Sequence, residues 1–372
     1  MAKILYVATS DIHLNTFHVP FFRMLESEGH KVDVAAEKRS DITLPHVDNF
    51  FDIKFPRKML SLEHIASVRK LKEIIRAGGY DLVHCHTPIP SALVRLAVAR
   101  QAPDRPRVLY TAHGFHFYPG ASLLRWLVYF PLEYLLSFRS DGIVCINKTD
   151  FYYSKRYFGA DATHLIPGVG VSPERFHRVD DTQRNELRSR LGLSESDFVL
   201  VYVAEFIPRK NHGFLLHALA ELKKAIPSVK LVLVGTGGDF DKTRDLASRL
   251  RLDEQVMFLG FRRDVPEILP AADVGVSTSR HEGLGLGVAE QMMCGVPVVA
   301  SLDKGHAELI DHEANGYLYR QGDRDDFCRR IVALEHQPAL RQELGERARR
   351  SMEKFHLEKS LEAMSRIYQH YL

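Results

Sequence analysis

Two carboxylates eight residues apart, Glu282 and Glu290, bracket the glycine-spaced loop Gly283-Leu-Gly-Leu-Gly287 within the run Ser277–Ser301. Gly283, Gly285 and Gly287 let the backbone turn sharply and leave its N–H groups uncovered by side chains. Val288, Met292 and Met293 then recur at helical spacing, Gly295 suits a left-handed stop, and Val296–Ala300 reads as a short buried strand. A helix opening behind bare amides is an anion site, and phosphate is its usual occupant. Carboxylates, by contrast, accept hydrogen bonds from hydroxyls. A ligand with a diphosphate middle and polyhydroxyl ends satisfies both demands, which describes a nucleotide sugar. Taken singly, Glu282 is an ordinary loop acid and Glu290 a solvated or capping helix residue; their spacing around the loop favours function.

The string Glu282-Gly-Leu-Gly-Leu-Gly-Val-Ala-Glu290, followed by Met292 and Cys294-Gly-Val-Pro-Val-Val-Ala-Ser301, resembles the E-x7-E signature of the retaining glycosyltransferases of family four. The resemblance extends over nearly the whole chain. It implies an α/β protein of GT-B architecture, with two Rossmann-like domains facing across a cleft. Residues 1–178 would form an acceptor domain and 179–354 a nucleotide-sugar domain, with the last helix, about 355–372, returning to the first.

Elsewhere single residues suggest chemistry that the resemblance sharpens. Arg209 and Lys210 open a helix beyond a strand's carboxyl end, where they are placed to neutralise a diphosphate; the bland alternative is a solvated basic turn. His113 follows the strand that starts at Arg107, at the edge where open α/β sheets bind ligands. The resemblance makes it the histidine that contacts the sugar, whereas His84, His86 and His116 keep a structural reading. It also gives Glu282 to the sugar hydroxyls, Glu290 to the ribose, and the amides of Leu284–Leu286 with Arg209 and Lys210 to the diphosphate. The Gly235 loop would approach the nucleotide, and the backbone at Arg262 would hold the base. Many relatives carry a glycine pair near the donor phosphates and acceptor, where this chain has Asn15, Thr16 and His18. No residue reads as a dedicated catalytic base. That fits front-face transfer in which the leaving phosphate assists the acceptor hydroxyl, a mechanism implied by the resemblance alone.

The composition bounds these readings. A chain of 372 residues suits two domains of ordinary size. Its 45% hydrophobic and 26% charged content is that of a globular protein. The net charge of +3 conceals a basic stretch, 1–178, and a slightly acidic remainder. This fits attraction to anionic lipid or to a diphosphate, but it is too mild for nucleic acid, whose binding motifs are missing. Cys85, Cys145, Cys294 and Cys328 have no metal or redox spacing. Met1–Ala8 is too short for a signal sequence, and no run approaches a membrane span.

Order along the chain follows a βα rhythm. Lys3–Thr9 reads as a strand, 10–18 as a polar loop, Phe21–Glu28 as a helix and Val32–Ala36 as a strand. The first turn lacks the dinucleotide glycine fingerprint, which argues against a nicotinamide enzyme. Leu62–Ala77 reads as a helix and Asp81–His86 as a strand, and the next helix runs to about Arg100. Residues 121–138 are rich in leucine and aromatic residues; a core helix is favoured over a membrane-facing patch. After Tyr110–Gly170, which resembles the exopolysaccharide and lipid-linked glycan subgroup, the rhythm restarts at Phe198. The string Ala204–His212 is similar to enzymes that extend undecaprenyl-diphosphate-linked bacillosamine with N-acetylgalactosamine. Asp239-Phe-Asp241 and Asp323-Arg-Asp325 are read as helix caps rather than metal ligands.

The expectation is therefore a retaining, metal-independent hexosyltransferase that needs no cofactor beyond its sugar nucleotide. It would move a hexose or N-acetylhexosamine from a UDP-sugar to an undecaprenyl-diphosphate-linked sugar, at the inner face of the cytoplasmic membrane. The alternatives are a nucleotide-sugar epimerase of the same architecture and a non-catalytic partner subunit.

Overall fold

Apolar runs bounded by turn residues become strands in the computed structural model, which describes residues 1–56, 61–98 and 104–372. Two compact units result: Met1–Gly170 with Glu358–Leu372, and Val171–Leu357. The sequence reading divides the chain after 178 and returns residues from about 355; the units divide after Gly170 and after Leu357.

The first unit holds β1 (Lys3–Ser10), β2 (Lys31–Glu37), β3 (Asn49–Asp52), β4 (Leu82–His86), β5 (Arg107–Ala112), β6 (Gly142–Cys145) and β7 (Ala162–Leu165). All pair in parallel, in the order β3-β2-β1-β4-β5-β6-β7. The second unit holds β8 (Phe198–Val203), β9 (Val229–Val234), β10 (Val256–Gly260), β11 (Val274–Ser277), β12 (Val298–Ser301) and β13 (Tyr317–Tyr319). These are again parallel, in the order β10-β9-β8-β11-β12-β13. Strand order reverses beside β1 in one sheet and beside β8 in the other. Such reversals open a crevice at the carboxyl ends of the strands, where open sheets bind ligands. The central strands are buried along almost their whole length, as parallel strands covered on both faces are.

The closing helix, Leu357–Tyr371, belongs to the first unit. Tyr368 Oη lies 2.6 Å from His84 Nδ1, and Tyr371 Oη lies 2.9 Å from His164 Nε2. Gly142 makes room for it, because a Cβ there would stand 2.2 Å from the Tyr371 hydroxyl.

Several expectations are corrected. Residues 10–18 are not a loop, because Asp11–Phe17 is helical. The Ser10 hydroxyl accepts from the His13 amide, and buried Asp11 accepts from the amides of Ile12, Arg39 and Ser40. These polar anchors supply the stability that an apolar stripe would otherwise give, so periodicity alone does not reveal the helix. Edge strand β3 is mostly exposed and lacks an apolar run. The helix expected to reach Arg100 spans Pro88–Ala97, and Arg100 lies outside the described residues. Asp239 sits at a helix N-cap without a side-chain capping bond, whereas Asp323 accepts from the Asp326 amide at 2.9 Å.

Residues 121–138 are also more than core. Their helix, Leu123–Ser137, buries Glu133, Leu136 and Ser137. Glu133 pairs with fully buried Arg95 at 2.9 Å and accepts from Tyr110 Oη at 3.2 Å. The Arg95 guanidinium also lies 4.3 Å from the Tyr110 ring centre. The opposite face leaves Leu123, Leu124, Leu127 and Leu135 between 65% and 73% exposed. Beside the helix is an apolar hollow of about 800 Å³, lined by residues that include Leu62, Ile89, Leu93, Leu96 and Leu132.

Candidate functional site

In the second unit the carboxyl ends of four neighbouring strands deliver the expected residues to one edge. Arg209 and Lys210 follow β8, Gly235 follows β9, Arg262 follows β10 and Glu282 follows β11. Parallel pairing makes this inevitable: every strand ends on the same side.

Arg209 and Lys210 lie in the tight turn Pro208–Lys210, before Asn211 in the left-handed conformation and the helix His212–Ala225. The turn is held from β8 and from the segment after β11. The Lys210 carbonyl accepts from Tyr202 Oη and from Thr278 Oγ1, each at 2.9 Å, and the Arg209 carbonyl accepts from the Arg280 amide. Both cations close on Glu282, Arg209 Nη1 at 2.8 Å and Lys210 Nζ at 2.5 Å. Burial alone would raise the Glu282 carboxyl, but Lys210, Arg209 and His306 together hold it down to about 2. The group is therefore ionised at any working pH.

The Glu282 loop is fixed by Asp303, which follows β12. Its carboxylate accepts from the amides of Glu282 at 2.7 Å and Gly305 at 2.9 Å. Gly305 permits this approach, since a Cβ there would be 2.9 Å from Glu282 Cβ and from Leu284 N. His306 donates from Nδ1 to the Ser301 carbonyl at 2.7 Å, which leaves Nε2 to accept from Ser277 Oγ. Asp303, His306 and Tyr202 are thus positioning residues that the sequence reading missed. Their only local signal was the Asp303-x-x-His306 spacing after a strand.

Gly285 caps the helix Leu286–Met293 with a φ of +96°, and that helix leaves its first amides without intrahelical acceptors. Leu284 is buried behind the loop. Within the helix, Glu290 makes no side-chain hydrogen bond among the described residues. Burial pushes its carboxyl up to about 7, against a smaller opposing pull from Arg175. Ionised, it accepts hydroxyl hydrogen bonds; protonated, it loses part of that capacity. Nucleotide affinity is accordingly expected to fall as pH drops through about 7, by at most about tenfold per unit. Titration calorimetry with UDP between pH 5.5 and 8.5, about the range that brackets this carboxyl, measures it. A flat profile in Glu290→Gln beside a sloping wild type assigns the slope; equal slopes remove Glu290 from the ribose.

Gly235 has a φ of +139° and donates its amide to the Gly260 carbonyl at 2.8 Å, and a Cβ on it would meet the Ala204 carbonyl at 2.1 Å. Arg262 turns its guanidinium to Asp264 at 2.7 Å, leaving its backbone at the end of β10. Arg209, Lys210, Glu282 and the Gly283–Leu286 loop therefore form one cluster, with Glu290 behind it and Gly235 and Arg262 farther along the same edge.

His113 belongs to the first unit. It follows β5, and the Gly114 turn after it is pinned by Asp150, which accepts from the Phe115 amide at 2.9 Å. Around it gather His13, His18, His84 and His86, with His86 Nδ1 at 3.2 Å from His113 Nε2. Burial holds all five imidazoles well below their ordinary value, His113 to about 3. His18 is buried against Tyr6 Oη at 3.0 Å. Asn15 is exposed on the helix, and exposed Thr16 bonds back to the Ile12 carbonyl.

Two parallel sheets, each with its candidate residues at strand carboxyl ends, define the class as the GT-B fold. Residues 21–175 match the profile of Glycosyltransferase Family 4, and residues 183–351 match that of Glycosyl transferases group 1. EpsD of Bacillus subtilis (strain 168) is 40% identical over 371 residues, covering 100% of this chain and 97% of that protein. The chain belongs to the family-four glycosyltransferases and is an enzyme of that kind. The Escherichia coli UDP-Gal:alpha-D-GlcNAc-diphosphoundecaprenol alpha-1,3-galactosyltransferase is 27% identical, covering 86% of this chain and 84% of its own. Anabaena Alr3699/HepE, crystallised with UDP and glucose, superposes with a TM-score of 0.79 at 21% identity over 100% of both chains, a likeness of fold.

Proposed function

We propose that the enzyme transfers a hexose or N-acetylhexosamine from a UDP-sugar to an undecaprenyl-diphosphate-linked sugar in exopolysaccharide, capsule or related glycan assembly. Transfer retains the anomeric configuration and requires no metal. The observation that carries this reading is the double ion pair of Glu282 with Arg209 and Lys210 beside the glycine-capped helix. A diphosphate exchanges into that arrangement. Its oxygens take the two cations and the bare amides, and Glu282 is released to accept from sugar hydroxyls. Charge on the departing diphosphate is then neutralised by groups already in place, which is the main demand of the reaction. Glu290 holds the ribose, Gly235 and the Arg262 backbone line the nucleotide, and His113 contacts the sugar.

The lipid-linked acceptor is supported by the exposed leucines of Leu123–Ser137 and the apolar hollow beside them. It is also the acceptor class in the name of the Escherichia coli relative. No helix among the described residues is long and apolar enough to cross a membrane, so attachment at the inner membrane face would be peripheral.

The test is a panel of nucleotide sugars, without added metal, supplied with undecaprenyl-diphosphate-linked acceptors in anionic vesicles. One UDP-sugar consumed only with acceptor present, giving an α-linked product from an α-linked donor, is the expected result. Donor conversion without any acceptor would favour the epimerase, and no consumption of any donor would favour the partner subunit.

A further inference from the structure

We propose that His13, His18 and His113 form a binding site for a divalent transition-metal ion of the Zn²⁺ type within the first unit. One ring nitrogen from each lies within 4.8 Å of the others. His13 Nε2 and His18 Nε2 stand 3.3 Å apart. Metal–nitrogen bonds of about 2.0–2.1 Å in a tetrahedron place neighbouring ligands about 3.3–3.4 Å apart. Two of the imidazoles are therefore already at ligand spacing, and closing the third requires a side-chain shift of about an ångström.

The fold explains the convergence. His13 lies in the helix Asp11–Phe17, and His18 is the residue at which the chain leaves it, with a φ of −117°. That departure swings His18 back toward His13. His113 arrives from the end of β5, a neighbour of β4 in the sheet.

The surroundings resemble the outer shell of a metal site. Tyr6 Oη lies 3.0 Å from His18 Nδ1, so a proton on Nδ1 leaves the Nε2 lone pair facing His13. His86 Nδ1 lies 3.2 Å from His113 Nε2, so His113 donating there keeps its Nδ1 lone pair. Such partners fix the tautomer and orientation of a ligating imidazole. His86, which orients His113, is itself buried, and its Nε2 has no hydrogen-bond partner among the described residues. Its ring centre lies only 4.5 Å from that of His18.

Three imidazoles without a carboxylate or thiolate favour Zn²⁺, Cu²⁺ or Ni²⁺ over Mg²⁺ or Ca²⁺, and leave a fourth position open to water. If His113 contacts the sugar, an ion here competes for it and acts as an inhibitor. That consequence rests on the proposed function, whereas the binding does not.

The experiment titrates the full-length, chelator-treated protein with Zn²⁺ against a chromophoric indicator, with no sugar nucleotide present, and repeats it with Co²⁺. One ion per chain and the intense visible bands of four-coordinate Co²⁺ are expected. His13→Gln and His113→Gln should each weaken binding by about tenfold or more, as lost ligands do. His13 is only half-buried, so His13→Gln decides the matter if His113→Gln does not fold. Absence of binding, binding undiminished in the folded variants, or a weak six-coordinate Co²⁺ spectrum would each overturn the site.

Discussion

Arg209→Ala is expected to lower kcat/KM for sugar transfer by roughly 10²–10³-fold, the usual cost of removing one preorganised donor from a developing anion. Its side chain is 41% exposed, and the turn that carries it is held by backbone acceptors, so the fold should survive. Lys210 remains to hold Glu282 ionised. The loss should fall on kcat as well as on KM, because the charge that Arg209 meets grows as the diphosphate departs. Coupled detection of UDP release at saturating acceptor measures it, with the unfolding midpoint as control. A variant with unchanged kcat and a raised KM would reduce Arg209 to ground-state binding. An unchanged kcat/KM would remove it from the site.

The second large effect is on stability. Glu133→Ala leaves the Arg95 guanidinium fully buried without its carboxylate, and the Tyr110 hydroxyl loses its acceptor. Removing one partner of a buried ion pair costs about 3–5 kcal/mol. A domain's whole net stability is only about 5–15 kcal/mol, so this is a large share of it. Denaturant unfolding followed by Trp126, the sole tryptophan, should show the transition of its region moving strongly to lower denaturant. The double variant Arg95→Met with Glu133→Leu should recover much of the loss, because no unpaired charge remains. If Glu133→Ala unfolds at the wild-type midpoint, the pair does not anchor this helix to the helix Pro88–Ala97.

The glycine loop was legible because each of its signals is local. Gly285 must take a positive φ, Glu282 and Glu290 flank it within one turn-and-helix unit, and Gly295 ends that unit. The βα rhythm was legible for the same reason, since apolar strands and glycine stops lie within a few residues of each other. What holds Glu282 in place was not legible. Asp303 reaches its amide from the neighbouring strand and Tyr202 holds the Lys210 turn, and only folding discloses which polar residue meets which backbone group. The helix Asp11–Phe17 was hidden because its anchors, Arg39 and Ser40, lie beyond the next strand. Exposure of the leucines at 123–135 was hidden too. Apolar residues predict burial only on average, and here one buried glutamate decides which face turns inward.

The hydrogen bond between Tyr368 and His84 has a consequence for how the chain is made. Ribosomes deliver the chain from its N-terminal side, yet the first unit lacks its closing helix until Glu358–Leu372 has been made. The second unit is continuous in sequence and complete by Leu357. It can therefore finish folding while its predecessor waits, with the β4 side of the earlier sheet still uncovered. Synthesis order and folding order are inverted, and a chain that stops short of Glu358 carries a complete second unit and an unfinished first one.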